Sequence, residues 1–161
     1  MRIGIGQDSH RFDPDALKPL VLGGMLIKGE PPLAANSDGD VIFHALTNAI
    51  SSITCVNILG PIADAMCQEG ITDSAAYVRE AMKYLEGMRV ENVVFSIECV
   101  KPKMTPLFPF MRENIAALLE ITPDRVGMTA TTGEGLSAFG RGEGIQVFCS
   151  IMVERGCDLH V

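Results

Sequence analysis

Period-two and period-3.6 segments follow one another in this chain in the order β-β-α-α-β-α-β. That order restricts it to layered folds that set helices against a sheet. Met1 to Gly6 alternates as a strand, Ile3 and Ile5 against Gly4 and Gly6. Pro19 to Ile27 reads as a short strand pair bent at Gly23-Gly24, and Lys28 to Asn36 as a proline-containing loop. Ser37-Asp38-Gly39-Asp40 reads as a helix N-terminus, with Val41, Ala45, Leu46, Ala49, Ile50 and Ile53 behind it at helical spacing. Gly60 to Thr72 reads as irregular. Asp73-Ser74 caps a second helix whose apolar stripe is Val78, Ala81, Met82, Leu85 and Met88. Val90 to Val100 is a strand, Pro106 to Ile121 a third helix and Val126 to Thr132 another strand. Gly133 to Gly144 is a glycine-rich loop, and Ile145 to Glu154 the last strand. The expected fold class is α/β, an α+β sandwich. A mixed sheet of four to five strands carries helices on one face, in one domain of residues 1–154, with 155–161 a poorly ordered tail.

A sheet covered on one face needs a partner for the other. Hydrophobic residues make up 47% of the 161, which is apolar for a lone domain, so an oligomer is expected. A net charge of −7 gives no basic footprint for nucleic acid. No apolar run reaches the ~20 residues of a membrane span. The five cysteines are odd in number and contain no CxxC, which disfavours a disulfide framework or a structural zinc ribbon. With no basic and apolar leader at the start, a cytoplasmic location is expected.

Asp8 and His10 are two apart in an extended segment, so both side chains fall on one face. His44 lies one helical turn after Asp40. One Asp and two His are suitable ligands for Zn²⁺ and leave a fourth position open, the pattern of catalytic rather than structural zinc. Alone, D-x-H is a weak signal. The loop Ala35 to Asp40 offers Ser37 and backbone N–H groups at a helix start, which suits either a phosphate or an ordinary cap. Lys101 and Lys103 flank Pro102 at a strand end. Between Thr131 and Gly144, Glu134, Arg141 and Glu143 stand among glycines, in a hairpin or in a loop that lets a ligand approach the backbone.

Four motifs in order then carry a resemblance. They are G-x-G-x-D-x-H at Gly4 to His10, S-D-G-D-x-x-x-H-A-L-T at Ser37 to Thr47, P-K-M at Pro102 to Met104, and A-T-T-x-E with G-R-G-E-G-I at Ala130 to Ile145. Together they closely resemble the 2-C-methyl-D-erythritol 2,4-cyclodiphosphate synthase family, from Met1 to about Glu154. The resemblance implies a homotrimer with active sites between subunits and a cytidine diphosphate substrate. It implies one Zn²⁺ per subunit on Asp8, His10 and His44, and a second ion, Mg²⁺ or Mn²⁺, near Glu134. Thr132, with Thr131 and Gly133, would meet the phosphates, as would Ser37 and Arg141. Cys99, Val100, Lys101, Pro102, Lys103, Met104 and Thr105 would cradle the cytidine. An apolar threefold cavity near Arg141 and Glu143 would hold an isoprenoid diphosphate.

The chain departs from the family pattern at three places. Asn36 stands where the family has a His thought to steady the transition state; Asn hydrogen-bonds but carries no charge. The family's ribose contact aligns with Ile58-Leu59-Gly60 without a gap, or with Asn57-Ile58 given one deletion. The gapped alignment also sets Asp64 where a carboxylate meets the erythritol hydroxyls. Phe139 is displaced by one position, next to Gly140. The implied activity is therefore the cyclase. The alternatives are a zinc phosphohydrolase on the same scaffold and a catalytically impaired trimeric metal- and nucleotide-binding protein.

Overall fold

The structure, a computed structural model, describes residues 1–156. The strands in chain order are β1 (Arg2–Arg11), β2 (Leu20–Leu22), β3 (Met25–Ile27), β4 (Met88–Glu98), β5 (Val126–Thr131) and β6 (Gly144–Arg155). The helices are α1 (Val41–Thr54), α2 (Ala63–Gln68), α3 (Ser74–Met82) and α4 (Phe108–Leu119). One mixed four-stranded sheet has the order β1-β6-β4-β5. In it β6 is antiparallel to β1 and β4, and β4 is parallel to β5. The strands β2 and β3 form a separate hairpin, so the sheet stops at four. Gly23 and Gly24 turn that hairpin at φ +56° and +74°, a pair of left-handed positions that glycine adopts without strain. Among the described residues no helix is long and apolar enough to cross a membrane.

Several element bounds differ from the sequence expectation. β1 runs on to Arg11 because β6 pairs with it from Arg2–Val153 to Arg11–Gly144. The segment expected to be irregular holds a wide helical turn (Ile58–Ile62) and α2. At six residues α2 is too short to show an apolar period. Met88 belongs to β4 rather than to the helical stripe, and a 3₁₀ turn at Lys83–Leu85 ends that helix. Arg155 lies in β6 opposite Met88, and Gly156 N–H donates to Gly87 O at 3.0 Å, so these two residues are not a frayed tail. The remainder of the expected tail, 157–161, lies outside the described residues.

The first motif is one stripe of side chains. Gly4, Gly6, Asp8 and His10 occupy alternate positions of β1 and face α1. A Cβ on Gly6 would lie 2.1 Å from Ala45 O and 2.3 Å from Ala49 N. One on Gly4 would lie 2.3 Å from Ala49 O. The helix backbone therefore rests directly on the strand, running antiparallel to it. Ile3 and Ile5 point the other way and are 67% and 68% exposed. Val94 and Phe148 are exposed beside them, so the open face of the sheet is apolar.

Asp40 fixes where α1 begins. Its carboxylate is fully buried and accepts from the N–H groups of Ile42 and Phe43 in the helix and of Gly23 and Gly24 in the hairpin turn, at 2.7–3.2 Å. One side chain thus caps the helix and ties the β2–β3 hairpin to it. Asp40→Ala strands these donors, and a loss of about 3 kcal/mol in denaturant unfolding is expected, since each buried orphan costs ~1–3 kcal/mol.

Candidate metal centre

The glycine contacts place the end of β1 against the first turn of α1. There Asp8 Oδ2 lies 3.0 Å from His10 Nε2 and 3.0 Å from His44 Nδ1, and the two nitrogens are 3.0 Å apart. Three atoms so placed cannot all be satisfied by hydrogen bonds. If both imidazoles donate to Asp8, their two N–H groups face each other. A cation taking one lone pair from each resolves this. Tetrahedral Zn²⁺ with arms of ~2.0 Å sets its ligand atoms about 3.3 Å apart, close to what is seen here. The residues present fit a metal with an open fourth position. Burial tends to raise the Asp8 carboxyl. The hydrogen bonds and charge of His10 and His44 outweigh that and hold it well below the usual carboxylate range.

The centre opens into a cavity of about 780 Å³. Of the residues singled out from sequence, Asn36, Ser37 and Asp64 line it with the three ligands. Asn57 is exposed and does not line it; its neighbours Leu59 and Gly60 do. The cavity also receives Asp13, Cys67 and Tyr77. Ser37 Oγ lies 3.2 Å from His44 Nε2 and accepts from Gly39 N–H. Cys67 Sγ meets Tyr77 OH at 2.8 Å, and Tyr77 in turn donates to Ile71 O.

Lys18, which the sequence reading passed over, straddles Asn36. Its ammonium donates to Ala35 O at 2.8 Å and Ser37 O at 2.7 Å. Burial lowers its pKa, while Asp38 and Asp13 pull it back up. The loop that carries Asn36 is thus held by a fixed positive charge. A lysine in a loop gives no periodic or motif signal, so only the fold reveals it.

The other expected site residues gather elsewhere. Cys99 to Thr105 follow β4, and Thr131 ends β5 with Thr132 to Glu134 directly after it. Cys99 N–H donates to Thr131 O at 3.1 Å and joins the two segments. Cys99, Pro102 and Met104 are buried, while Lys101, Lys103, Thr105, Thr131, Thr132, Glu134 and Arg141 are exposed. The glycine-rich loop is a folded turn rather than a loose hairpin. Ser137 Oγ donates to Glu98 and accepts from Gly140 N–H, and a Cβ on Gly133 would meet Glu98 Oε1 at 2.0 Å. Glu98 was not singled out in the sequence; a glutamate at a strand end reads as solvated. Arg141 Nε donates to Glu143 at 3.0 Å. Phe139 and Glu143 reach towards the first group, lining a small cavity with Ser9, His10 and Arg11.

Both groups sit at one end of the sheet. His10 pairs with Ile145, next to the row Gln146–Glu98–Thr131. Three strand spacings, about 14 Å, separate β1 from β5 in that row. None of Cys99 to Thr105 lines the cavity at the metal centre.

Burial pushes the Cys99 thiol up to about 11, against the pull of Lys103, and Cys149 is raised by burial as well. Cys55 is exposed. Among the cysteines of the described residues, iodoacetamide at neutral pH should alkylate Cys55 first, as read by mass spectrometry, and leave Cys99 and Cys149 untouched until the protein unfolds.

Comparison with known proteins agrees with this geometry. The YgbB family model matches residues 1–154. The 2-C-methyl-D-erythritol 2,4-cyclodiphosphate synthase of Chlamydia trachomatis serovar L2 is 48% identical over 159 residues, covering 97% of this chain and 89% of that protein. The Chlamydia caviae enzyme of the same name is 48% identical over 160 residues, 98% and 91% of the two chains. A solved 2-C-methyl-D-erythritol 2,4-cyclodiphosphate synthase in a CDP-bound form superposes with a TM-score of 0.82 at 31% identity, over 95% of this chain and all of that one. The bifunctional IspDF of Campylobacter jejuni gives 0.85 at 29% identity, over 96% of this chain and 42% of that longer one. The chain belongs to the YgbB family, that of the 2-C-methyl-D-erythritol 2,4-cyclodiphosphate synthases, which are enzymes of isoprenoid biosynthesis.

Proposed function

We propose that the protein is a zinc-dependent phosphorus–oxygen lyase. It converts 4-diphosphocytidyl-2-C-methyl-D-erythritol 2-phosphate to 2-C-methyl-D-erythritol 2,4-cyclodiphosphate and CMP, in the non-mevalonate route to isoprenoid precursors. The observation that carries the reading is the convergence of Asp8, His10 and His44 at the wall of a 780 Å³ cavity. The CDP-bound relative supports the cytidine diphosphate part.

In this reaction the substrate supplies its own nucleophile. Its 2-phosphate attacks the β-phosphorus, the bond from that phosphorus to the CMP oxygen breaks, and CMP departs. No protein nucleophile is required, because the attacking group is already anionic and tethered; alignment of this kind can account for ~7–11 kcal/mol of barrier lowering. The chain folds the substrate and offsets its charge. Asp8, His10 and His44 hold the metal. Ser37 and Asn36 offer hydrogen bonds to the phosphates, as do Thr131, Thr132 and the Gly133 backbone. Lys103 and Arg141 add positive field. Asp64 takes the erythritol hydroxyls, Asn57 meets the ribose, and Phe139 borders the substrate. Cys99, Val100, Lys101, Pro102, Met104 and Thr105 cradle the cytosine. Zn²⁺ bound at the centre supplies Lewis acidity towards the β-phosphate. Glu134, an exposed carboxylate, would hold a second divalent ion, Mg²⁺ or Mn²⁺, which would offset phosphate charge.

The separation of the two residue groups and the apolar open face of the sheet support an oligomer in which each site is built from two subunits; the family resemblance makes it a homotrimer, and the cytoplasm is the expected compartment. A threefold cavity near Arg141 and Glu143 would take an isoprenoid diphosphate. The test is CMP release from mixed subunits. A His44→Ala chain and a Thr132→Ala chain should each be inactive alone, and mixtures refolded together should regain activity by forming some intact sites. Mixtures that stay inactive overturn the shared site. Wild-type protein that releases no CMP overturns the cyclase and leaves a metal- and nucleotide-binding role.

A further inference from the structure

We infer that Ser74 and Asp38 form the outer hydrogen-bonded shell of the metal centre and position His44 by fixing which of its ring nitrogens carries the proton. This rests on the metal-centre reading above.

His44 presents Nδ1 to Asp8 and His10. Its other nitrogen, Nε2, lies 2.9 Å from Ser74 Oγ. Ser74 is fully buried, and its hydroxyl donates to Asp38 Oδ1. Its backbone N–H donates to Asp38 Oδ2 at 3.0 Å. With its only hydrogen committed to a carboxylate, Ser74 Oγ can only accept from His44. The His44 proton is thereby held on Nε2, and Nδ1 turns a lone pair towards the other two ligands.

Nothing in the helix itself explains this hydroxyl. Asp73 already caps α3, accepting from Ala75 N–H at 2.9 Å. Asp38 is anchored independently of Ser74. Its N–H donates to Thr72 O at 2.9 Å, and Asp40 N–H donates to its Oδ1 at 3.0 Å. The relay runs from His44 through Ser74 to a carboxylate fixed in the Ser37–Asp40 loop. It therefore joins the start of α3 to the metal site. Ser37 Oγ, at 3.2 Å from Nε2, is the longer contact and is also engaged by Gly39 N–H.

A positioning shell of this kind typically governs metal affinity by 10–100-fold. The test is Zn²⁺ affinity, measured by competition with a chromophoric chelator, together with the visible spectrum of the Co²⁺-substituted protein. Ser74→Ala should bind Zn²⁺ about 10–100-fold more weakly and broaden or shift the tetrahedral Co²⁺ bands of the folded protein. Asp38→Asn should weaken binding less, since its amide oxygen still accepts from Ser74. The double variant should lose no more than Ser74→Ala alone, because Asp38 acts through Ser74. Where Ser74→Ala does not fold, the affinity of Asp38→Asn carries the test. A Zn²⁺ affinity for Ser74→Ala within twofold of wild type, losses that add in the double variant, or an unchanged affinity for Asp38→Asn overturns the relay. Wild-type protein that binds no Zn²⁺ overturns the metal centre itself.

Discussion

His44→Ala should bind no zinc and release CMP about 10³-fold more slowly than the unmodified protein, with little residual dependence on added metal. The size follows from the loss of ~4 kcal/mol of charge stabilisation at the β-phosphate, at ~1.4 kcal/mol per factor of ten. Removing the imidazole deletes one of three ligand atoms that lie 3.0 Å from one another. Two protein ligands then remain, short of the three that a catalytic zinc keeps. Asp8→Asn gives the same test from the strand side and leaves α1 intact. Metal content per chain and CMP release should fall together in both variants. Full zinc content with full activity in either would contradict the assignment of the ligands.

Gly6→Ala should be the most damaging single-methyl change in the chain. The added Cβ would press on Ala45 O and Ala49 N at 2.1 and 2.3 Å, both backbone atoms of α1 that no rotamer change can move aside. The helix would have to lift from β1. A loss of about 3 kcal/mol or more is expected, at the upper end of overpacking costs. Because Asp8, His10 and His44 meet across that same contact, metal affinity should fall in parallel. Gly29→Ala is the control. Unlike Gly6, which lies in regular strand, Gly29 has a left-handed φ of +86°, but its Cβ would meet nothing within 4 Å. Its cost should stay at the ~1–2 kcal/mol of a strained φ, with zinc binding unchanged. Equal melting temperatures for the two variants would show that the helix does not rest on the glycines.

The chemistry of the site was easier to read in the sequence than its construction. Asp8, His10 and His44 were candidates because few residue types bind metal and period two sets the first pair on one face, but that spacing is a weak signal alone and the family resemblance was needed to join His44 to them. Gly4 and Gly6 showed only as spacers in an alternating strand. That they are the buried side, and the isoleucines the open one, depends on where α1 docks, which no local pattern encodes. Ser74 looked like a cap because it follows Asp73 at a helix start; its burial against His44 is a tertiary fact. Lys18 and Glu98 gave no signal, since a single charged residue in a loop or at a strand end normally faces solvent. The separation of Cys99–Thr105 from the metal centre was also invisible, because it follows from β6 inserting between β1 and β4. Element order, by contrast, was legible almost throughout. The exceptions were α2, too short to show a period, Met88, which belongs to β4 rather than to the helical stripe, and the ends of β1 and β6, extended by their mutual pairing.

The most direct test is phosphorus NMR of a single turnover. The protein, stripped of metal and then reloaded with Zn²⁺ and Mg²⁺, is mixed with one equivalent of 4-diphosphocytidyl-2-C-methyl-D-erythritol 2-phosphate. The account predicts the paired resonances of a cyclic diphosphate together with one equivalent of CMP, and unchanged substrate in the stripped sample. Linear phosphate products, or turnover indifferent to the removal of metal, would contradict it.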